Sequence, residues 1–296
     1  MGCIAIPPCP TARSATITVT SHASDAIPDP SLDPSRASSS GNPEDTSLPA
    51  VQPALFLDPT QDTLFETGAW PKPFVFNAEV ARIFDNMVSR SVPLYRDVMA
   101  CAVQWTLAYY QPGTRIIDVG CSTGTFLELV GRLLPAPAHL VGLDNSQAML
   151  DKARQKLGSL AGHRVQWVCD RAENASYDNA SVVVLNYTLQ FLPIQQRQQV
   201  LHRVYAGLIP GGLVFLSEKV TSPHPRIQEM LTRHYEAFKT RNGYARTEIE
   251  RKKEALENVL IPLTESDQRQ MLQRAGFEQL DTVIKLHNFV TLVALK

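Results

Sequence analysis

With 296 residues, 44% hydrophobic and 19% charged, the chain is long enough to bury a full core. Its 28 basic and 29 acidic residues nearly cancel, so the composition indicates neither a nucleic-acid-binding nor a membrane-binding surface, and no apolar run reaches the length of a bilayer span. Five scattered cysteines (Cys3, Cys9, Cys101, Cys121 and Cys169) argue against a disulfide framework and fit a reducing compartment, and they form no metal-ligand spacing with the seven histidines.

Residues 1–58 are rich in Ser, Thr, Pro and Ala without sustained periodicity, which predicts a disordered extension. The first 24 residues lack acids and carry Ser, Thr and Arg13, which leaves room for an organelle transit peptide; the default expectation is the cytoplasm. Met1-Gly2-Cys3 resembles a lipidation start, but Ile6 stands where Ser or Thr is needed. Residues 59–296 are the expected folded domain. Asn77, followed by Val80, Ile83, Phe84 and Met87, predicts a capped amphipathic helix. Ser91-Val92-Pro93 breaks it and a second helix runs to about Tyr110, with Tyr95 just after the break and within reach of a ligand.

The most informative stretch follows. Ile116-Ile117-Asp118-Val119 reads as a buried strand ending in an acid, and Gly120-Cys121-Ser122-Thr123-Gly124 turns it into an apolar helix from Thr125 to Leu134. Glycines at such a turn let backbone N–H groups approach a ligand. The loop has no Gly-Lys-Ser/Thr ending and lacks the middle glycine of the dinucleotide fingerprint. An acid before the glycine loop suits a ligand bearing an amino group, the pattern of S-adenosylmethionine-binding α/β folds. Cys121 reads as a small residue tolerated where space is tight rather than as a reactive thiol.

Further apolar strands end at Asp144 (from Val141), Asp170 (from Val165) and Asn186 (from Ser181), and a fifth spans Leu213 to Leu216 after the turn Ile209-Pro210-Gly211-Gly212. Helical stretches at Ser146–Leu157 and Pro193–Leu208 alternate with them, which predicts a doubly wound, mostly parallel sheet. Ligands bind outside the carboxyl ends of such strands, where Asp118, Asp144, Asp170 and Asn186 all fall; Asp144 sits where a ribose-binding carboxylate belongs. Each could instead be only a helix cap, but four in register with the glycine loop point to a site.

Beyond the fifth strand a helical insert of about residues 225–260 is expected. Ile227, Met230, Leu231, His234, Tyr235 and Phe238 form a stripe that reads as core. Thr247-Glu248-Ile249-Glu250 has capping-box wording for the next helix. Its apolar stripe, Ile249, Leu256 and Leu260, places Lys253 on the inward face, with Arg251 and Lys252 on a solvated one. An inward cation needs an anionic partner or snorkels to water. Met271–Ala275 and two strands near Leu280–Leu286 and Phe289–Leu295 close a seven-stranded sheet.

The chain resembles the carboxy-S-adenosyl-L-methionine synthases, class I methyltransferase-fold enzymes of tRNA wobble-uridine modification. The resemblance runs from about Gln61 to Lys296 and rests on Asp62-Thr63-Leu64-Phe65, Arg90-Ser91-Val92-Pro93 with Tyr95, Gly120-Cys121-Ser122, Asp144-Asn145-Ser146, Val183-Val184-Leu185-Asn186, Leu216-Ser217-Glu218-Lys219, Asn242-Gly243-Tyr244, Leu256-Glu257-Asn258-Val259 and the final Leu292-Val293-Ala294-Leu295-Lys296. It implies a Rossmann-like domain, a homodimer, and a cofactor set of S-adenosyl-L-methionine or its carboxylated form, held by Tyr95, Gly120, Cys121, Ser122, Asp144, Asn145, Asp170, Arg171, Asn186 and Lys253, to which the strand-end reading adds Asp118. It also implies transfer of a carboxyl group from prephenate to the sulfonium methyl, with Lys253 and Tyr95 as candidate catalytic residues, and with no direct nucleic-acid or membrane contact. Two positions depart from the family pattern: Lys253 stands for its carboxylate-binding arginine, and Arg171 for an apolar residue at the adenine site. An ordinary methyltransferase and a non-enzymatic nucleotide-binding module are the competing readings.

Overall fold

The computed structural model describes Asp62, residues 64–66, and residues 74–296 apart from 136, 159 and 161. The expectations for residues 1–58, and the boundary near 59, lie outside the described residues.

Asn77 caps α1 (Ala78–Ser91), its side chain accepting from the Val80 N–H at 3.0 Å. After the break at Pro93, α2 (Tyr95–Tyr109) begins behind Leu94, whose φ of 56° is unusual for a non-glycine residue. The alternation then runs β1 (Arg115–Val119), α3 (Thr125–Leu133), β2 (His139–Asp144), α4 (Gln147–Leu157), β3 (Arg164–Cys169), β4 (Ala180–Asn186), α5 (Ile194–Gly207) and β5 (Leu208–Thr221). It continues with α6 (Pro225–Arg241), α7 (Arg246–Ala255), β6 (Leu263–Thr264), α8 (Glu265–Ala275), β7 (Gln279–Leu286) and β8 (Phe289–Leu295).

The strand order is β3-β2-β1-β4-β5-β8-β7. The first five strands are parallel, while β8 runs antiparallel between β5 and β7. This is the expected seven-stranded, doubly wound sheet, with the two-residue β6 added alongside the end of β5. Successive strand residues face opposite sides. Ile116, Leu140, Val182 and Phe215 pack under α2 and α3; Ile117, Val141, Val183 and Val214 pack with α5 and α8. A third cluster joins Phe65 and α1 (Val80, Ile83, Met87) to Met149 and Ala255, so the helical cap is fixed to α4 and α7.

Three expectations need correction. The fifth strand is much longer than Leu213–Leu216: the Gly211 N–H donates to the Lys296 carbonyl at 2.8 Å, and the Lys296 N–H to Gly212 at 3.0 Å, so the carboxyl-terminal residue extends the ladder along the glycine pair. The α6 stripe is not core. Ile227 and Met230 are exposed, His234 is exposed, and Lys239 is the buried residue of that helix. α7 starts one residue before Thr247, and the carboxylate that closes its first turn is that of Glu248, which accepts from the Ala245 N–H at 2.6 Å.

Among the described residues, no helix is long and apolar enough to cross a membrane.

Candidate active site

A cavity of about 960 Å³ opens at the carboxyl ends of β1, β2, β4 and β5, where a doubly wound sheet binds its ligands. Tyr95, Asp118, Gly120, Cys121, Ser122, Asp144, Asn145, Asp170, Arg171, Asn186 and Lys253 all line it. The structure therefore brings every sequence-predicted site residue to one wall or another of a single pocket.

The glycine loop is built differently from the expectation. Gly120 has φ 71°, and a Cβ there would meet the Thr188 hydroxyl at 2.6 Å, so only glycine fits. However, the Gly120 and Cys121 N–H groups both donate to the Leu143 carbonyl, at 2.7 and 3.0 Å, and the Ser122 N–H donates to Asp144 Oδ2 at 2.9 Å. These three donors are spent inside the protein. The loop offers a ligand a bare backbone surface rather than a row of free N–H groups. It is tied to the cap by Thr123 and Thr125, whose hydroxyls donate to Asp85 at 2.5 and 3.1 Å, and Lys156 of α4 pairs with Asp85 at 2.9 Å. The Cys121 thiol is buried and burial pushes its pKa up, so it is held as the neutral, unreactive form.

Asp144 holds the Ser122 N–H with one oxygen and the Ser146 N–H with the other, at 2.9 and 2.8 Å. A carboxylate has acceptor capacity beyond these bonds, and Asp144 lines the cavity, where adjacent ligand hydroxyls could use it. Burial raises its pKa, opposed by these hydrogen bonds. Asp118 is 3% exposed and its carboxyl is pushed up to about 8, by burial first and by the Asp144 charge second. A cationic ligand group would restore its charge. Burial also raises the Tyr95 phenol, with Asp85 and Asp118 adding to the shift. Tyr95 is thereby a neutral hydroxyl at the cavity wall.

Asn186 is the observation that most directly implies a ligand. Both polar atoms of its side-chain amide are buried and have no hydrogen-bond partner among the described residues, and the residue lines the cavity. Buried polar groups are normally paired, so this amide is built for something that enters the pocket. The following residue, Tyr187, has φ 58°, and Ser122 and Asn258 on the same cavity have φ 49° and 60°. Such backbone strain collects at functional sites. The turn after β4 is fixed from behind by Glu218, fully buried, whose two oxygens accept from the Leu189 and Gln190 N–H groups at 2.9 Å each.

The cavity is more open at Asp170 and Arg171. Asp170 Oδ1 accepts from the Arg171 N–H at 2.7 Å, so that backbone donor is already engaged. The Arg171 guanidinium is exposed and pairs with Glu173.

Under α6 and α7 the cavity wall is densely charged: Lys219, Lys239, Lys252 and Lys253 line it together with Glu236, Glu250, Glu254 and Glu257. Sequence periodicity placed Lys253 inward and Lys252 outward; the structure reverses their burial. Lys252 is buried and donates to the Ser91 hydroxyl at 2.8 Å, while Lys253 is exposed at the cavity rim. The buried face of α7 is Glu248, Ile249, Lys252 and Ala255, a three-and-four spacing that a helix with so few apolar residues does not disclose. Arg251 is not solvated either: it donates to the carbonyls of Phe65 and Glu66, both at 2.8 Å. Burial, with Arg90 adding, lowers Lys252 to about 8 against the pull of Asp62 and Glu248. Burial lowers Lys239 to about 7, with Lys252 and Lys219 adding. Sequence reasoning missed Lys219 and Lys239 as site residues. Lys219 lies toward the carboxyl end of β5, so the strand-end rule would have found it had the strand's true length been legible. Lys239 sits in the last turn of α6, where a cation reads as an ordinary helix-terminal charge.

Comparison with known proteins agrees with this geometry. A family model described as a methyltransferase domain matches residues 116–212. A carboxy-S-adenosyl-L-methionine synthase of Trichodesmium erythraeum is 62% identical over 247 residues, covering 83% of this chain and 98% of that protein. The synthase of that name from Desulforapulum autotrophicum is 42% identical, over 80% of this chain and 97% of its own. Among solved structures, magnesium protoporphyrin IX methyltransferase from Synechocystis PCC 6803 superposes with a TM-score of 0.51 at 17% identity, covering 71% of this chain and 87% of that one, a likeness of fold. By its pocket, its sheet and these relatives, the chain belongs to the carboxy-S-adenosyl-L-methionine synthase family, on the class I methyltransferase fold.

Proposed function

We propose that this chain converts S-adenosyl-L-methionine and prephenate to carboxy-S-adenosyl-L-methionine and phenylpyruvate, in the cytoplasm and as a homodimer, supplying the carboxylated product for tRNA wobble-uridine modification. The observation that carries the reading is one cavity with two unlike parts: acids and an unpaired amide at the strand ends, and, among the charged groups under α6 and α7, the lysines Lys219, Lys239 and Lys253, whose ammonium groups donate no hydrogen bond to a described residue. The first part suits a nucleoside with cationic groups. The second suits an anionic co-substrate, which a simple methyl acceptor need not be.

In this reading Asp144 accepts the ribose hydroxyls, Asp118 faces the ligand's cationic groups and Asn186 satisfies its amide on the bound nucleoside. When bound, S-adenosylmethionine supplies an acidic sulfonium methyl carbon. The donor dianion loses one carboxyl group as carbon dioxide and its hydroxyl as hydroxide, becoming phenylpyruvate. The carbon dioxide unit forms a bond to the methyl carbon, and the displaced methyl proton leaves with the hydroxide as water. The protein's part is to hold the two reactants in a pocket screened from solvent and to neutralise the new carboxylate. Lys253 at the rim is the cation assigned to that carboxylate; its ammonium supplies charge without the two-pronged fork of an arginine. Tyr95 contributes a neutral hydroxyl beside the reacting end.

The test is to incubate the purified chain with S-adenosylmethionine and prephenate and analyse the nucleoside by mass spectrometry. The reading requires a product heavier by one carbon dioxide unit, formed in step with phenylpyruvate. A methylated small molecule with S-adenosylhomocysteine would indicate an ordinary methyltransferase.

A further inference from the structure

The lysines of the cavity do not form one undifferentiated patch. Lys219 and Lys239 share a single aromatic ring: their ammonium nitrogens lie 4.9 and 4.4 Å from the centroid of Tyr235. Lys239 is 7% exposed, and neither ammonium donates a hydrogen bond to any described residue. Among the described residues, Glu236 is the one carboxylate whose charge favours their protonated forms, while the lysines disfavour one another's. Two cations on one ring, Lys239 buried and Lys219 half-buried, both short of acceptors, are costly to the free protein. An arriving anion relieves that cost. A second unpaired group faces the same cavity: Asn288 is 2% exposed, and its Oδ1 has no partner among the described residues. It is the second residue of the turn between β7 and β8 and directly precedes Phe289, which pairs with Lys219 across the sheet.

We propose that Lys219 and Lys239, which share the Tyr235 ring, bind the carboxylate that the donor keeps, and that Lys253 is left to the carboxylate that is transferred. The inference rests on the proposed carboxyl transfer and adds to it a division of labour. A donor with two carboxylates needs two cationic positions, and the cavity has them on different elements: β5 and α6 for one, the rim of α7 for the other. Asn288 Oδ1 provides an acceptor for the donor's hydroxyl. The subsite therefore selects dianionic donors, and it also holds the product acid, because phenylpyruvate retains the same carboxylate.

The test compares wild type with Lys239→Gln, Lys219→Gln and Lys239→Arg. Three quantities are measured for each: the KM for prephenate, the inhibition constant of phenylpyruvate, and the Kd for S-adenosylmethionine by calorimetry. Both glutamine variants are expected to raise the KM and the inhibition constant together, by at least about tenfold, because one partner of a charge pair is lost. The S-adenosylmethionine Kd stays within about twofold, which also shows that the variants fold. Lys239→Arg recovers most of the loss. An unchanged KM and inhibition constant in both glutamine variants would overturn the assignment. If wild type forms no carboxylated product, the reaction reading fails by itself. The subsite is then judged by calorimetric binding of phenylpyruvate: binding lost in Lys239→Gln sustains it, and binding that is absent or unaffected overturns it.

Discussion

The ammonium of Lys252 donates to the hydroxyl of Ser91 at 2.8 Å, joining α7 to the end of α1. The chain of contacts continues: Ser91 donates to the Tyr244 hydroxyl at 3.2 Å, and Tyr244 donates to Asp62 Oδ2 at 2.5 Å. Lys252 is thus engaged in holding the cap together, and its neighbour Lys253 is the one left to face the cavity rim. Adjacent residues on a helix point about 100° apart, so one cannot substitute for the other.

The two lysines should therefore fail in different ways. Lys252→Met lowers the melting temperature by several degrees, as expected for loss of about 1–3 kcal/mol from a buried hydrogen-bonded charge. Lys253→Met leaves the melting temperature unchanged and abolishes most of the preference for carboxy-S-adenosylmethionine over S-adenosylmethionine. Lys253→Arg keeps or improves that preference, since a guanidinium can engage both carboxylate oxygens. Thermal melts and competition binding separate these outcomes.

Asp144→Ala should weaken S-adenosylmethionine binding by at least about tenfold, because hydrogen bonds to a charged group are worth about 1.5–3 kcal/mol each. The variant also releases the Ser122 and Ser146 N–H groups, so the loss is expected to exceed that of Asp144→Asn. Calorimetry on both variants checks the order.

Affinity for S-adenosylmethionine should depend on pH through Asp118. Its carboxyl titrates at about 8 in the free protein, so below that value it is mostly protonated and cannot pair with a cation. A bound cation lowers its pKa, so binding releases a proton. Affinity then rises with pH by up to about tenfold per unit until about pH 8, and levels off above it. The groups that set this titration include the neighbouring Asp144 charge, which raises the Asp118 pKa. Asp118→Asn should flatten the profile. Calorimetry in buffers of different ionisation enthalpy measures the proton release directly.

A chain beginning at Gln61 should bind S-adenosylmethionine within about twofold of the full chain, because every site residue lies beyond it. A chain beginning at Phe74 should be less stable. It removes Asp62, which accepts from Tyr244 and whose carbonyl accepts from Arg90 at 3.1 Å, together with the Phe65 and Glu66 carbonyls bound by Arg251.

Much of this was legible in the sequence where local chemistry and sheet topology agree. Asp118, Asp144, Asp170 and Asn186 were placed because strand ends, apolar runs and the glycine turn all specify the same edge of the sheet. The capped α1 was found for the same reason: Asn77 and its apolar spacing agree. What was not legible depends on tertiary packing. α6 carries an apolar stripe but caps a cavity, so its periodicity overstates its burial. α7 has too few apolar residues to show its buried face, and the choice between Lys252 and Lys253 is made by Ser91, 161 positions away in sequence. The internal use of the Gly120, Cys121 and Ser122 donors likewise follows from the position of β2, not from the loop's own wording.

The central claim is that one cavity brings a nucleoside and a dianionic donor together for carboxyl transfer. Prephenate labelled with heavy carbon in the carboxyl group attached to its ring tests it most directly. The account predicts that the label appears on the sulfonium substituent of carboxy-S-adenosylmethionine in equal amount to the phenylpyruvate formed. Unlabelled S-adenosylmethionine recovered intact, or S-adenosylhomocysteine with a methylated acceptor, would contradict it.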